Sequence, residues 1–186
     1  MTAESTFQDR FGEWGKYMAA IVNQSVLGEV LITATFIEEQ LLRILQFFMV
    51  DGRVSKDMVR GPSAAMGSFS AKNHLAYSLG LIDDQEFTSI DAIRRIRNEF
   101  AHNISTNFDD PKIRGKMNPL CWAIFRDDIG DFDAYQAFHV AAQRMIMQLL
   151  NRSDHVALER RQSKVWPKER TDYDHDPGYD PLDYIY

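Results

Sequence analysis

The chain has 186 residues, with 21 Lys+Arg against 27 Asp+Glu and a formal charge of −6, so a single domain is the starting expectation. Its 45% hydrophobic and 26% charged content is that of a globular protein and excludes disorder throughout. The acidic balance argues against a protein that coats duplex by bulk electrostatics, and the lone Cys121 excludes an internal disulfide or a Cys-x-x-Cys zinc site.

The opening MTAESTFQDRFGEW lacks the basic start and apolar run of a signal peptide, and no uncharged apolar stretch approaches ~18 residues. These features predict a cytoplasmic, soluble chain without a membrane segment. Phe7, Phe11, Trp14, Met18 and Ile21 recur at helical spacing, although Gly12 and Gly15 each weaken a helix by about 1 kcal/mol. From Val26 to Met49 the residues Val26, Val30, Ile37, Leu41, Ile44, Leu45 and Phe48 form a broad apolar face, with Glu39 and Arg43 on the polar side. This pattern predicts a helix of about 35 Å.

Asp51-Gly52 stops that helix, VSKDMVR reads as a short helical turn, and GPSAAMGS reads as a loop. Ser68 or Ser70 is placed to cap a helix through FSAKNHLAYSLGLI, which Gly80 interrupts near its end. Asp83 with Glu86 has the spacing of a capping box and opens a helix containing Phe87, Ile90, Ile93, Ile96 and Phe100. After Asn103 the sequence becomes loop-like, with Pro111 starting a short helix and Pro119 ending it. An acidic approach then leads into a last helix to Asn151, striped with Phe132, Tyr135, Phe138, Ala142, Met145, Ile146, Leu149 and Leu150. No segment alternates as a strand would, so the predicted fold class is all-α, a bundle of about five helices.

The C-terminal part divides into two segments of opposite charge. Residues 156–170 carry five cations against two carboxylates, a net of +3, whereas residues 171–186 carry five Asp and no Lys or Arg. Removing that acidic tail leaves only −1 of the −6 for residues 1–170. The expected organisation is a helical domain over 1–155 followed by a basic segment and an irregular Tyr/Asp/Pro tail over 156–186.

The most informative hexapeptide is Arg97-Asn98-Glu99-Phe100-Ala101-His102. On a helix Asn98 and His102 share a face, while Arg97 and His102 stand about 140° apart and about 7.5 Å along the axis. Two such helices meeting across a two-fold axis would bring paired arginines and histidines into one cleft. Arginine suits a phosphate because its planar fork donates two hydrogen bonds, and histidine exchanges protons near neutrality. That set would support metal-independent RNA cleavage by the 2′-hydroxyl. The competing reading of Arg94, Arg95, Arg97 and Glu99 is a solvated, ion-paired helix face.

The ordered blocks GSFSAKNHLAYSLGLI, IRRIRNEFAH and FDDPKIR resemble the mannitol operon repressor family of bacterial regulators over roughly Leu27 to Leu150. The RNxxxH piece is also similar to the wider HEPN superfamily. The first resemblance implies an all-helical transcriptional regulator that works through protein contacts, with no DNA-binding motif of its own. The second implies a dimeric, metal-independent endoribonuclease, a toxin or defence effector, in which Arg97 binds phosphate, Asn98 orients groups and His102 transfers protons. Both fit a HEPN-like bundle that forms a homodimer.

The remaining signals are mostly negative. Gly61 to Ser68 does not fit a phosphate-binding loop, and His74, His102, His139, His155 and His175 show no i,i+3 or i,i+4 pairing suited to a metal. No cofactor or metal site is expected. Lys72 and His74 read as surface residues and Cys121 as a small buried hydrophobe. No helix pair has the length and turn of a DNA-reading helix-turn-helix. Arg94 and Arg95, with Arg160 and Arg161, are the basic patches left for RNA, DNA or a regulatory protein partner, through which a weak DNA-binding regulator would also act.

Overall fold

Polar side chains set where the helices begin. The computed structural model describes residues 3–60, 64–123 and 132–166, with side chains given for 9–60, 64–120 and 132–166. Within them lie α1 (Ala3–Ile21), α2 (Val26–Phe48), α3 (Arg53–Val59), α4 (Phe69–Ser78), α5 (Asp84–His102), α6 (Pro111–Met117) and α7 (Ala134–Leu158), with a 3-10 helix at Asn118–Ala123. Ser25, Ser68, Asp83, Asp110 and Asp133 each stand just before a helix and accept a hydrogen bond from a backbone N–H of its first turn. Asp83–Glu86 forms the expected capping box, and Asp133–Gln136 forms a second.

Of the two possible caps for α4, Ser68 is the one used, accepting from Ala71 N at 3.1 Å. The helix ends where Gly80 takes a left-handed φ of 69°, with Gly80 N donating to Tyr77 O and Leu81 N to Ala76 O. That pair of bonds is a Schellman termination, which a residue without Cβ forms most readily.

Five helices of ten or more residues, α1, α2, α4, α5 and α7, make up the all-α bundle. No strand occurs among the described residues. α2 is the central element: Val30, Ile37, Leu41, Ile44 and Leu45 are fully buried and pack among Ile90, Ile93, Ile96, Phe138, Ile146 and Leu149. Full burial of each such side chain contributes about 1.5–3 kcal/mol.

α2 and α7 run parallel. At one end Tyr135 donates to Glu29 at 2.8 Å, and at the other Arg161 N donates to Phe48 O at 2.7 Å. α1 runs against both, placing Tyr17 beside Thr33 at 3.1 Å and Arg10 beside Asp154 at 3.1 Å. α4 and α5 form a hairpin joined by Tyr77 to Asp84 and by Asn73 Nδ2 to Phe87 O.

Several expectations are corrected. α1 forms despite its two glycines, because packing of Trp14, Tyr17 and Met18 against the core outweighs their propensity cost. Val26 and Phe132 lie on exposed surface, Phe132 ahead of the last helix. α7 continues to Leu158, past the expected Asn151. The chain stays helical beyond Met117, the 3-10 helix carrying it through Pro119. Lys72 is 6% exposed, its ammonium donating to Glu38 at 2.6 Å and to the Gly67 carbonyl, so it is a buried tether between α2 and the start of α4. The side chains of Phe7 and Cys121, the acidic approach to α7 through residue 131, and the tail beyond Trp166 lie outside the described residues.

Candidate functional site on helix α5

Burial divides α5 into two faces. Ile90, Ile93, Ile96 and Phe100 face the core, leaving Asp91, Arg94, Arg95, Asn98 and His102 toward the opposite side. Arg97 stands about 60° from Phe100 around the axis, at the edge of the buried stripe, and is half-buried. His102 is the last residue of the helix and is exposed.

The arginines differ in what they hold. Arg94 donates to Asp91 Oδ1 from Nε at 2.9 Å and from Nη2 at 2.7 Å, and Arg95 Nε lies 2.7 Å from Asp91 Oδ2. One carboxylate thus occupies two guanidinium groups. Lys116 of α6 reaches Glu99 at 2.9 Å, and this bond holds the Glu99 carboxyl below its ordinary range. Arg97 has no ion pair among the described residues; its Nη1 donates to Asn98 Oδ1 at 3.1 Å. Among these α5 cations it is the one whose charge no carboxylate offsets, so it has the strongest residual attraction for an anion.

A groove of about 370 Å³ between α5 and α6 is lined by Asp91, Arg95 and Lys116, and neither Arg97 nor His102 lines it. Arg160 and Arg161 sit at the far end of the bundle, at the C-terminus of α2: Arg160 lies 3.8 Å from Asp51, and the Arg161 guanidinium stacks over Phe48 at 5.1 Å. The two basic patches proposed as contacts are therefore separate surfaces.

Two polar clusters were not found by motif. Arg152 of α7 donates to both Glu86 oxygens at 2.8 and 3.1 Å and to Leu81 O at 2.7 Å, while Glu86 also completes the α5 capping box. At the other end, Glu29 accepts from Tyr135 and lies 3.2 Å from His139 Nε2, beside the rings of Phe108 and Phe138. Burial pushes the His139 imidazole below its ordinary pKa, with Glu29 pulling the other way, and the bond to Glu29 raises the Tyr135 phenol. The partners in each cluster lie on helices far apart in sequence, so local spacing carried no signal of them. Among the described residues no three His, Cys, Asp or Glu side chains gather as metal ligands would, and no helix is long and apolar enough to cross a membrane.

No protein-family model and no curated protein sequence matches this chain. A solved structure does: the X-ray structure of the MtlR–HPr complex from Escherichia coli matches with a TM-score of 0.53, covering 78% of this chain and 99% of the matched chain at 19% identity. The helical fold built above is thus shared with a protein of that complex.

Proposed function

We propose that the chain is a cytoplasmic bacterial transcriptional regulator of the mannitol operon repressor type, acting as a homodimer through protein contacts rather than through a DNA-reading motif of its own. The observation that carries this reading is the fold shared with a chain of the MtlR–HPr complex over 78% of the present chain. The ordered sequence blocks on α4, α5 and α6 favour the same family. The polar face of α5, with Arg94, Arg95, Asn98 and His102 and with Arg97 at its edge, is the surface we assign to a protein partner or to the second protomer.

Calorimetric titration with HPr from the same organism tests the reading, with Arg95→Glu/Arg97→Glu as the comparison variant. Saturable binding that the variant weakens at least about tenfold, or about 1.4 kcal/mol, is expected. No heat of binding at high protein concentration would remove HPr as the partner. Promoter DNA binding whose affinity falls steeply with salt would replace the protein-contact reading with direct DNA binding through the arginine patches.

The uncompensated charge of Arg97 favours one second reading, a metal-independent endoribonuclease using Arg97, Asn98 and His102 from two protomers. Incubation with single-stranded RNA in EDTA separates it from the first. Cleavage lost in Arg97→Ala/His102→Ala would establish the nuclease, and intact RNA across varied sequences would dismiss it.

A further inference from the structure

The end of the bundle opposite His102 collects cations from three stretches of sequence. Arg43 lies near the end of α2, Arg53 and Lys56 lie on α3 with Arg60 just after it, and Arg160, Arg161 and Lys164 follow α7. Folding brings these stretches together at one end of the bundle. Lys56 and Arg160 share Asp51, at 2.9 and 3.8 Å, and the segment after α7 is tied to the end of α2 by the bond from Arg161 N to Phe48 O. Residues 43–60 and 159–166 together hold seven cations against Asp51, Asp57 and Glu159, a net of +4 in a chain of net −6. Five of the seven side chains are exposed, Arg53 at 88% and Lys56 at 59%, while Arg43 and Arg160 are half-buried. Several already rest on rings, Arg43 over Phe47, Arg161 over Phe48 and Lys164 over Trp166.

We propose that this basic end is a docking surface for the chain's own acidic segment, residues 171–186, which therefore competes with any other anion for the site. The segment has complementary chemistry, with five Asp and no Lys or Arg, interleaved with Tyr173, Tyr179, Tyr184 and Tyr186. Its carboxylates match the net charge, and its rings suit guanidinium groups of the kind that stack on Phe47 and Phe48. It is also close by connectivity: only residues 167–170 separate it from Trp166, a link of about 14 Å when extended. Such a tether supplies a local concentration on the order of millimolar, enough for many weak ionic contacts to act together. Asp51 and Asp57 already take up part of the charge at this end, pairing with Lys56, Arg160 and Arg53, and the net of +4 remains over them.

Paramagnetic relaxation in the full chain tests this. A nitroxide is attached at Tyr179→Cys in a Cys121→Ser background, and backbone amide intensities are read at low and high salt. At ~20 mM salt, amides of residues 43–60 and 159–164 should lose more than about half their intensity, and at ~0.5 M, where the Debye length is only a few ångströms, they should recover. Replacing the five tail Asp with Asn should abolish the effect, as should Arg161→Glu/Lys164→Glu, with other amide positions unchanged as evidence of an intact fold. Absence of broadening at low salt would overturn the proposal, as would broadening centred on Arg94–Arg97. Equal broadening in a mixture of labelled and isotope-enriched chains would also overturn it, because the occupant would then be another copy's tail.

Discussion

Arg152 of α7 and Glu86 of α5 form a bidentate ion pair between helices, 66 residues apart in sequence. The guanidinium meets both carboxylate oxygens, at 2.8 and 3.1 Å, while the Glu86 side chain is only 5% exposed. Because Glu86 also caps α5 and Arg152 also binds the Leu81 carbonyl after the α4 terminus, a single pair fixes the α4–α5 hairpin against α7. Arg152→Met should lower stability by about 2–4 kcal/mol, since it strands a buried carboxylate, and Arg152→Met/Glu86→Leu should lose less than the sum of the two single variants. Urea unfolding of the four proteins measures this, and strict additivity would show that the pair is not energetically coupled.

A pH dependence follows from His139. Its pKa is depressed in the folded chain, chiefly by burial, so the native state binds fewer protons than the unfolded state around the ordinary value of 6.5. The associated stability is full above that value and declines as pH falls through it toward the lower folded value. The urea midpoint should therefore drop between about pH 7 and pH 5, and His139→Gln should flatten the slope. A midpoint that rises on acidification over this range would mean that the Glu29 carboxylate 3.2 Å away outweighs burial.

The glycines of α1 and Gly80 should respond in opposite directions. A Cβ at Gly15 would meet nothing within 4 Å, and the residue lies within a helix, so Gly15→Ala should stabilise by about 0.5–1 kcal/mol. Gly80 has equally open surroundings but a φ of 69°, so Gly80→Ala should destabilise by about 1 kcal/mol through backbone strain alone. Thermal melts of the two variants decide the matter, and shifts of the same sign would contradict it.

Arg97→Ala and His102→Ala should leave stability within about 0.5 kcal/mol of the parent, because Arg97 has only a local bond to Asn98 and His102 is exposed at a helix end. Loss of partner binding or RNA cleavage in either variant is then a property of the surface and not of unfolding. A thermal shift of several degrees would assign the motif to architecture instead.

How much of this was legible in the sequence varied with the range of the interaction. Ser68, Asp83 and Glu86 act on a backbone three residues away, so their caps and the helix starts could be read directly. The buried stripes of α2 and α5 followed from period, since Ile37, Leu41, Ile93 and Ile96 repeat on one face. Lys72 was misplaced because its burial depends on Glu38, 34 residues earlier, and on the Gly67 carbonyl, neither of which spacing within α4 reveals. The motif on α5 was visible as residue types, but its charge balance was not. Only the structure distinguishes Arg94 and Arg95, both held by Asp91, from Arg97, which is not.

The parallel alignment of α2 and α7 has a kinetic consequence. Ile37, Leu41 and Ile44 are sealed by residues about a hundred positions downstream, so an emerging chain that has completed only α1–α5 still exposes much of the central helix. Closing so large a loop must precede the reward of burial, which gives this helical protein a higher contact order than an up-down bundle and predicts slower, more cooperative folding. On the ribosome, the apolar face that α2 turns to α7 stays uncovered until α7 emerges, a stage at which exposed surface favours aggregation.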